Sequence, residues 1–103
     1  MLHVLVTDRG RYVRVMEDSI FSEYTLTPTY DILLAQHFVS VETAQKFAQA
    51  ANEGTTYIDN HQLDWSILNH LTGKEIITGY ESFEIVVSKQ NTNAFVKERA
   101  GEK

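Results

Sequence analysis

Four histidines, His3, His37, His61 and His70, are the side chains best suited to acid–base chemistry, because an unperturbed imidazole titrates near about pH 6.5. Two of them fall close to two carboxylates. Asp59, His61, Asp64 and His70 are the ligand types of a divalent-metal site, and a fold-back of this stretch would make a small metal-dependent or acid–base centre. Their spacing is not that of a metalloprotease helix, which sets two histidines four residues apart. The plainer reading is a polar loop leading into Trp65. His37, beside Phe38, reads as a half-buried histidine of a strand.

Other chemistries find less. The serines lie outside any G-x-S-x-G elbow. The glycines are scattered singly and form neither phosphate-binding loop. Glu17, Asp18, Glu81 and Glu84 sit in turn-like or alternating sequence, where a solvated surface is the natural setting. No catalytic residue, cofactor or bound metal is therefore assigned. Arg9, Arg11 and Arg14 concentrate positive charge and offer weak nucleic-acid binding, against the plainer reading of a solvated hairpin tip.

Aromatic residues are the richer resource. Tyr24, Tyr30, Trp65 and Tyr80 lie beside polar, turn-like sequence, so an exposed subset would anchor a protein partner, where Tyr and Trp are enriched. The competing reading makes them lids over core edges.

These residues must be positioned by a chain of 103 residues, enough for one core. It has no cysteine, which excludes disulfides, thiolate metal sites and cysteine nucleophiles. A formal net charge of −5 repels phosphate backbones and anionic lipid, making nucleic acid a poor partner. No run approaches the roughly 20 apolar residues of a membrane span, and Met1 leads into Leu2, His3 and Val4 without a secretory pattern. The expectation is a cytoplasmic protein with no membrane association and with homo-oligomerisation left open.

Period-two alternation predicts a strand over Leu2–Thr7, a turn at Asp8-Arg9-Gly10, and a second strand through Tyr12–Met16. Between Glu17 and Tyr30 the pattern weakens around Pro28, predicting either an irregular connection or a short edge strand around Tyr24–Leu26. A single helical turn is expected at Leu33–Ala35, then extended chain to Val39. The clearest element is a helix over Val41–Glu53. Ser40 caps it, Glu42 suits the positive end of its dipole, Gly54 stops it, and Val41, Ala44, Phe47, Ala48 and Ala51 form one apolar side. Thr55–Ile58 reads as a strand, so Gln36–Asp59 suggests a strand, helix, strand unit. The stretch Gln62–Leu71 fits a helix or a strand equally. A turn at 71–74, a strand from Glu75, a bend at Gly79 and a strand through Phe83–Val87 follow. The class predicted is α+β: a small, mostly antiparallel sheet with an N-terminal β-hairpin and one amphipathic helix (41–53) on one face. Residues 1–89 form the single domain, and 90–103 are expected to be a polar, frayed tail.

The stretch Ala35-Gln36-His37-Phe38-Val39-Ser40-Val41-Glu42-Thr43-Ala44-Gln45-Lys46-Phe47-Ala48 resembles short open reading frames from phages and prophages of Gram-positive bacteria. That resemblance implies an accessory role and brings no catalytic residue with it. The leading expectation is a non-enzymatic protein-interaction module that binds through an acidic surface and exposed aromatics.

Overall fold

Alternation of apolar and polar residues shapes β1 (Leu2–Thr7) and a one-sided apolar pattern the helix, while the other strands of the described chain owe more to pairing than to local pattern. The computed structural model describes residues 1–71, 73, 75–87 and 94–102. In chain order the elements are β1 (Leu2–Thr7), β2 (Tyr12–Asp18), β3 (Glu23–Thr29), α1 (Val41–Glu53), β4 (Tyr57–Ile58), β5 (Asp64–Asn69), β6 (Ile77–Val87) and β7 (Ala94–Glu102). The sheet runs β4-β5-β3-β2-β1-β6-β7. Every neighbouring pair is antiparallel except β3 with β5. The fold is thus α+β with a mostly antiparallel sheet.

β1 and β2 pair at Val6 and Tyr12, beside a turn in which Gly10 takes φ 73°, a conformation that suits a residue without Cβ. Beyond that pair the two strands part, and the chain around Phe38 enters the gap. His3 and Phe38 exchange two backbone hydrogen bonds of 2.8 Å, and Gln36 N–H donates to the Val13 carbonyl at 2.9 Å. Successive strand residues face opposite sides of a sheet. Val4, with Phe83, Ile32 and Ala35, makes one core layer, whereas Leu5 belongs with Val13, Leu26, Ala44 and Phe47 in the other. The chain therefore passes between β1 and β2, from the turn near Asp31 on one face to α1 on the other.

α1 begins where Ser40 Oγ accepts the Thr43 N–H at 3.3 Å and ends at Gly54, with φ 67°. It buries Ala44, Phe47, Ala50 and Ala51. Asn52 fastens its last turn to the sheet, donating from Nδ2 to the Ile77 carbonyl at 2.8 Å and accepting the Ile77 N–H on Oδ1 at 2.9 Å.

Several expectations change. Of the two alternatives for Glu17–Tyr30 the strand holds, but as neither short nor edge: β2 continues to Asp18, and β3 contains Tyr24–Leu26 and runs between β2 and β5. Pro28 is accommodated because Val13, opposite it, turns its carbonyl towards Gln36 on the far side. That pair therefore needs no cross-strand hydrogen bond, and β5 pairs only with residues Glu23–Leu26. The ambiguous stretch 62–71 contains β5, parallel to β3. The strand, helix, strand unit does not close as a parallel pair: Phe38 makes a lone bridge to β1, and β4 lies antiparallel to β5 at the sheet's edge. Near Gly79 the β1–β6 register shifts between Val6 and Thr7. Gly73 takes φ 64° in the expected turn at 71–74, whose positions 72 and 74 lie outside the described residues. Within the tail expected to be frayed, Ala94–Glu102 pairs along β6 as β7, an edge strand whose inward-facing backbone groups find partners on that long strand. Positions 90–93 and 103 lie outside the described residues.

Candidate functional site

The parallel pairing of β3 with β5 sets Tyr24 opposite Ile67, and from the neighbouring position of β5 Trp65 stacks on the Tyr24 ring with centroids 4.4 Å apart. Phe47 from α1 and Tyr57 from β4 meet the same ring edge-on at 5.3 and 6.1 Å. Trp65 is 4% exposed, and a buried indole N–H needs an acceptor. Asp59 supplies it from Oδ2 at 2.7 Å, while its Oδ1 accepts the backbone N–H groups of His61 and Leu63 at 2.8 and 3.1 Å. The Trp65 hydrogen bond above all, then those of Leu63 and His61, hold the Asp59 carboxyl below its usual range despite an opposing desolvation.

Beside this cluster opens a cleft of about 320 Å³ whose lining includes Glu17, Tyr24, Phe47, Tyr57, Asp59 and His61. Glu17 lies directly across from Tyr24 in the β2–β3 ladder. Burial first, then the charge of Glu17 and of the groups at Tyr57 and Asp59, pushes the Tyr24 hydroxyl up to about 12. Tyr57 is raised by burial and by Asp59. The cleft is thus aromatic in its walls and negative at its rim.

The hairpin joining β2 to β3 ends one ladder step further on, at Asp18 and Glu23. Its tip presents Ile20 at 86% and Phe21 at 69% exposure. Asp18 Oδ1 accepts the N–H groups of Ile20 and Phe21 at 3.0 and 3.4 Å, and Ser22 accepts the Ser66 N–H at 3.0 Å. Ser22 has φ 51°, and Gln62, in the loop that carries Asp59, has φ 64°. Among the described residues these are the non-glycine positions with positive φ, a conformation that costs roughly 1 kcal/mol or more each. Both strained residues lie in loops at this end of the sheet.

The residues singled out from sequence are dispersed. Trp65 is buried and cannot serve as an exposed anchor, because its ring is packed on Tyr24 and its N–H is bound by Asp59. Tyr24 walls the cleft. Tyr80 is half-buried on β6, with its ring edge to His3 at 5.8 Å. Tyr30, 78% exposed, follows the other end of β3, whose length alone, roughly 20 Å at about 3.4 Å per residue, separates it from the hairpin tip. Asp59, His61, Asp64 and His70 do not converge. Asp64 opens β5 and His70 follows its end, a span of roughly 20 Å, and no group of three or more metal-ligating side chains occurs among the described residues. His3 bonds Ser82 Oγ at 2.7 Å, with its pKa lowered by burial and then by the chain's amino terminus. His37 bonds the Ile32 carbonyl at 3.0 Å.

Arg11 is ion-paired with buried Glu75, which also accepts the Thr7 hydroxyl. Its positive charge is spent on the fold, while Arg14 stands exposed on β2. Glu17, the Ile20–Phe21 tip, Asn52 and Glu75 carry roles that sequence reasoning missed. The run Asp18-Ser19-Ile20-Phe21-Ser22 held a usable signal, because Asp and Ser flanking a short loop form side-chain-capped turns without glycine. No helix among the described residues is long and apolar enough to cross a membrane. The chain matches no protein-family model, and no curated protein or solved structure is significantly similar to it.

Proposed function

We propose that this chain is a non-enzymatic protein-interaction module that docks its partner on the end of the β2–β3 arm. The observation that carries the reading is the tip itself: two large apolar side chains, Ile20 and Phe21, stand in solvent on a loop pinned by Asp18 and by Ser66. Exposing such residues gives up hydrophobic stabilisation unless a partner covers them. Pinning them beforehand lowers the ordering entropy lost on binding. Backbone strain at Ser22 and Gln62 supports the same end, since strain is retained where function requires a fixed loop shape. Glu17, Asp18 and Glu23 flank the tip, so the partner surface that fits is an apolar socket bordered by basic groups. The accessory role implied by the likeness to phage and prophage reading frames belongs to the same proposal.

Paired affinity purification from cells that carry the gene tests it, with the parent chain and an Ile20→Ser/Phe21→Ser variant as baits. The reading expects a protein retained by the parent and lost by the variant. Identical sets of retained proteins would overturn it.

A further inference from the structure

Resting on that reading, we infer that the cleft beside the tip receives a basic side chain, lysine or arginine, from the partner. Its walls come from Tyr24, Phe47 and Tyr57, its rim carries Glu17 and Asp59, and no lysine or arginine lines it. The carboxylates attract a cation through charge, and the half-buried rings of Tyr24 and Tyr57 offer apolar, electron-rich surface beside them. A basic side chain also has the right shape, with an apolar stem for the rings and a charged head for the rim. The cleft's volume of about 320 Å³ admits such a side chain.

The opposing contributions are smaller. α1 starts at the cleft through Ser40 and Thr43, and a helix N-terminus carries about half a positive charge. Glu42 in the first turn offsets that half-charge, leaving two full carboxylate charges against it and two imidazoles, His37 and His61. An anionic guest would face Glu17 and Asp59 directly. A purely apolar guest would strip water from both carboxylates and return no charge to them.

The experiment is a chemical-shift titration of the ¹⁵N-labelled chain at pH 8 and low salt. The probes are the N-acetyl methylamides of lysine, arginine, norleucine and glutamate. The expected result is saturable movement of the Trp65 indole N–H and the His61 amide with the lysine or arginine probe. Affinity should be about tenfold above that for norleucine, weaker at high salt, and reduced about threefold or more by Glu17→Gln. Equal or tighter binding of the norleucine or glutamate probe, or no saturable movement with either cation, would overturn the inference. The two claims fail separately: a cleft indifferent to cations beside a tip whose substitution still loses the partner sinks only the cation site. Cation binding beside a tip whose substitution changes nothing sinks only the docking reading.

Discussion

Trp65 lies flat against Tyr24, with ring planes 19° apart, and the hydrogen bond that fixes the indole comes from Asp59, six residues earlier in the chain. The pair joins β5 to β3 on the side of the sheet that α1 covers, because Tyr24 also touches Phe47. One stacked pair therefore sets the position of the loop after β4, the Tyr24 wall of the cleft and the base of the exposed hairpin. Removing Tyr24, Trp65 or the Asp59 carboxylate should disturb all of them.

Asp59 provides the most direct handle on this arrangement. Asp59→Asn keeps an oxygen for the two backbone N–H groups but turns an amide donor towards the indole. Asp59→Ala removes every acceptor. Thermal midpoints should fall in the order parent, Asn, Ala, with Trp65 fluorescence altered in both variants. Because the folded carboxyl titrates below its ordinary value, its stabilisation is present above that value and is lost as pH falls through the lower, folded one. Equal midpoints for parent and Ala would show that the indole is held by packing alone.

Glu75 and Arg11 give a second pH signature, at the other end of the sheet. Arg11 chiefly, with Thr7 and Arg9 adding to it against an opposing desolvation, holds the Glu75 carboxyl below its ordinary value of 4.5. Between the folded and unfolded values the unfolded chain binds more protons, so stability should decline as pH drops through that window. Glu75→Ala should cost about 2 kcal/mol at pH 7 and flatten the decline. Urea melts of both proteins from pH 7 down to acid check this, and parallel curves would refute it.

Asn52 acts as a short surrogate strand between α1 and β6. Asn52→Ala should cost about 1–2 kcal/mol in a urea melt. Asn52→Asp should be no better, since its second oxygen would face the Ile77 carbonyl. An Asp variant as stable as the parent would mean that the Ile77 carbonyl does not need its donor.

Legibility followed the range of the forces involved. α1 was readable to both caps because Ser40, Glu42 and Gly54 act within one turn, and the apolar side from Ala44 to Ala51 repeats at the helical period. β1 and the start of β2 were readable from alternation. β3 was legible only as the short-strand alternative at Tyr24–Leu26, because its flanks show no glycine and Pro28 suggests a break, a suggestion cancelled by Gln36 taking up the Val13 carbonyl from elsewhere in the chain. β5 was ambiguous because Leu63, Ile67, Leu68 and Leu71 satisfy a helical face, and only pairing with β3 decides. The aromatics were visible as a class, yet their exposure depends on partners such as Asp59 for Trp65, which periodicity does not encode. Apolar residues between strands, such as Ile20 and Phe21, look like core until the loop is placed.

The central claim is that the β2–β3 tip and its neighbouring cleft form the binding face, and titration calorimetry with the protein captured by the parent chain tests it most directly. Both tip residues are solvent-exposed, so Ile20→Ser/Phe21→Ser should leave folding stability within about 0.5 kcal/mol per site. The account predicts that this variant binds at least about tenfold more weakly, a difference of about 1.4 kcal/mol. Affinities within twofold of each other, with both proteins folded, would contradict it.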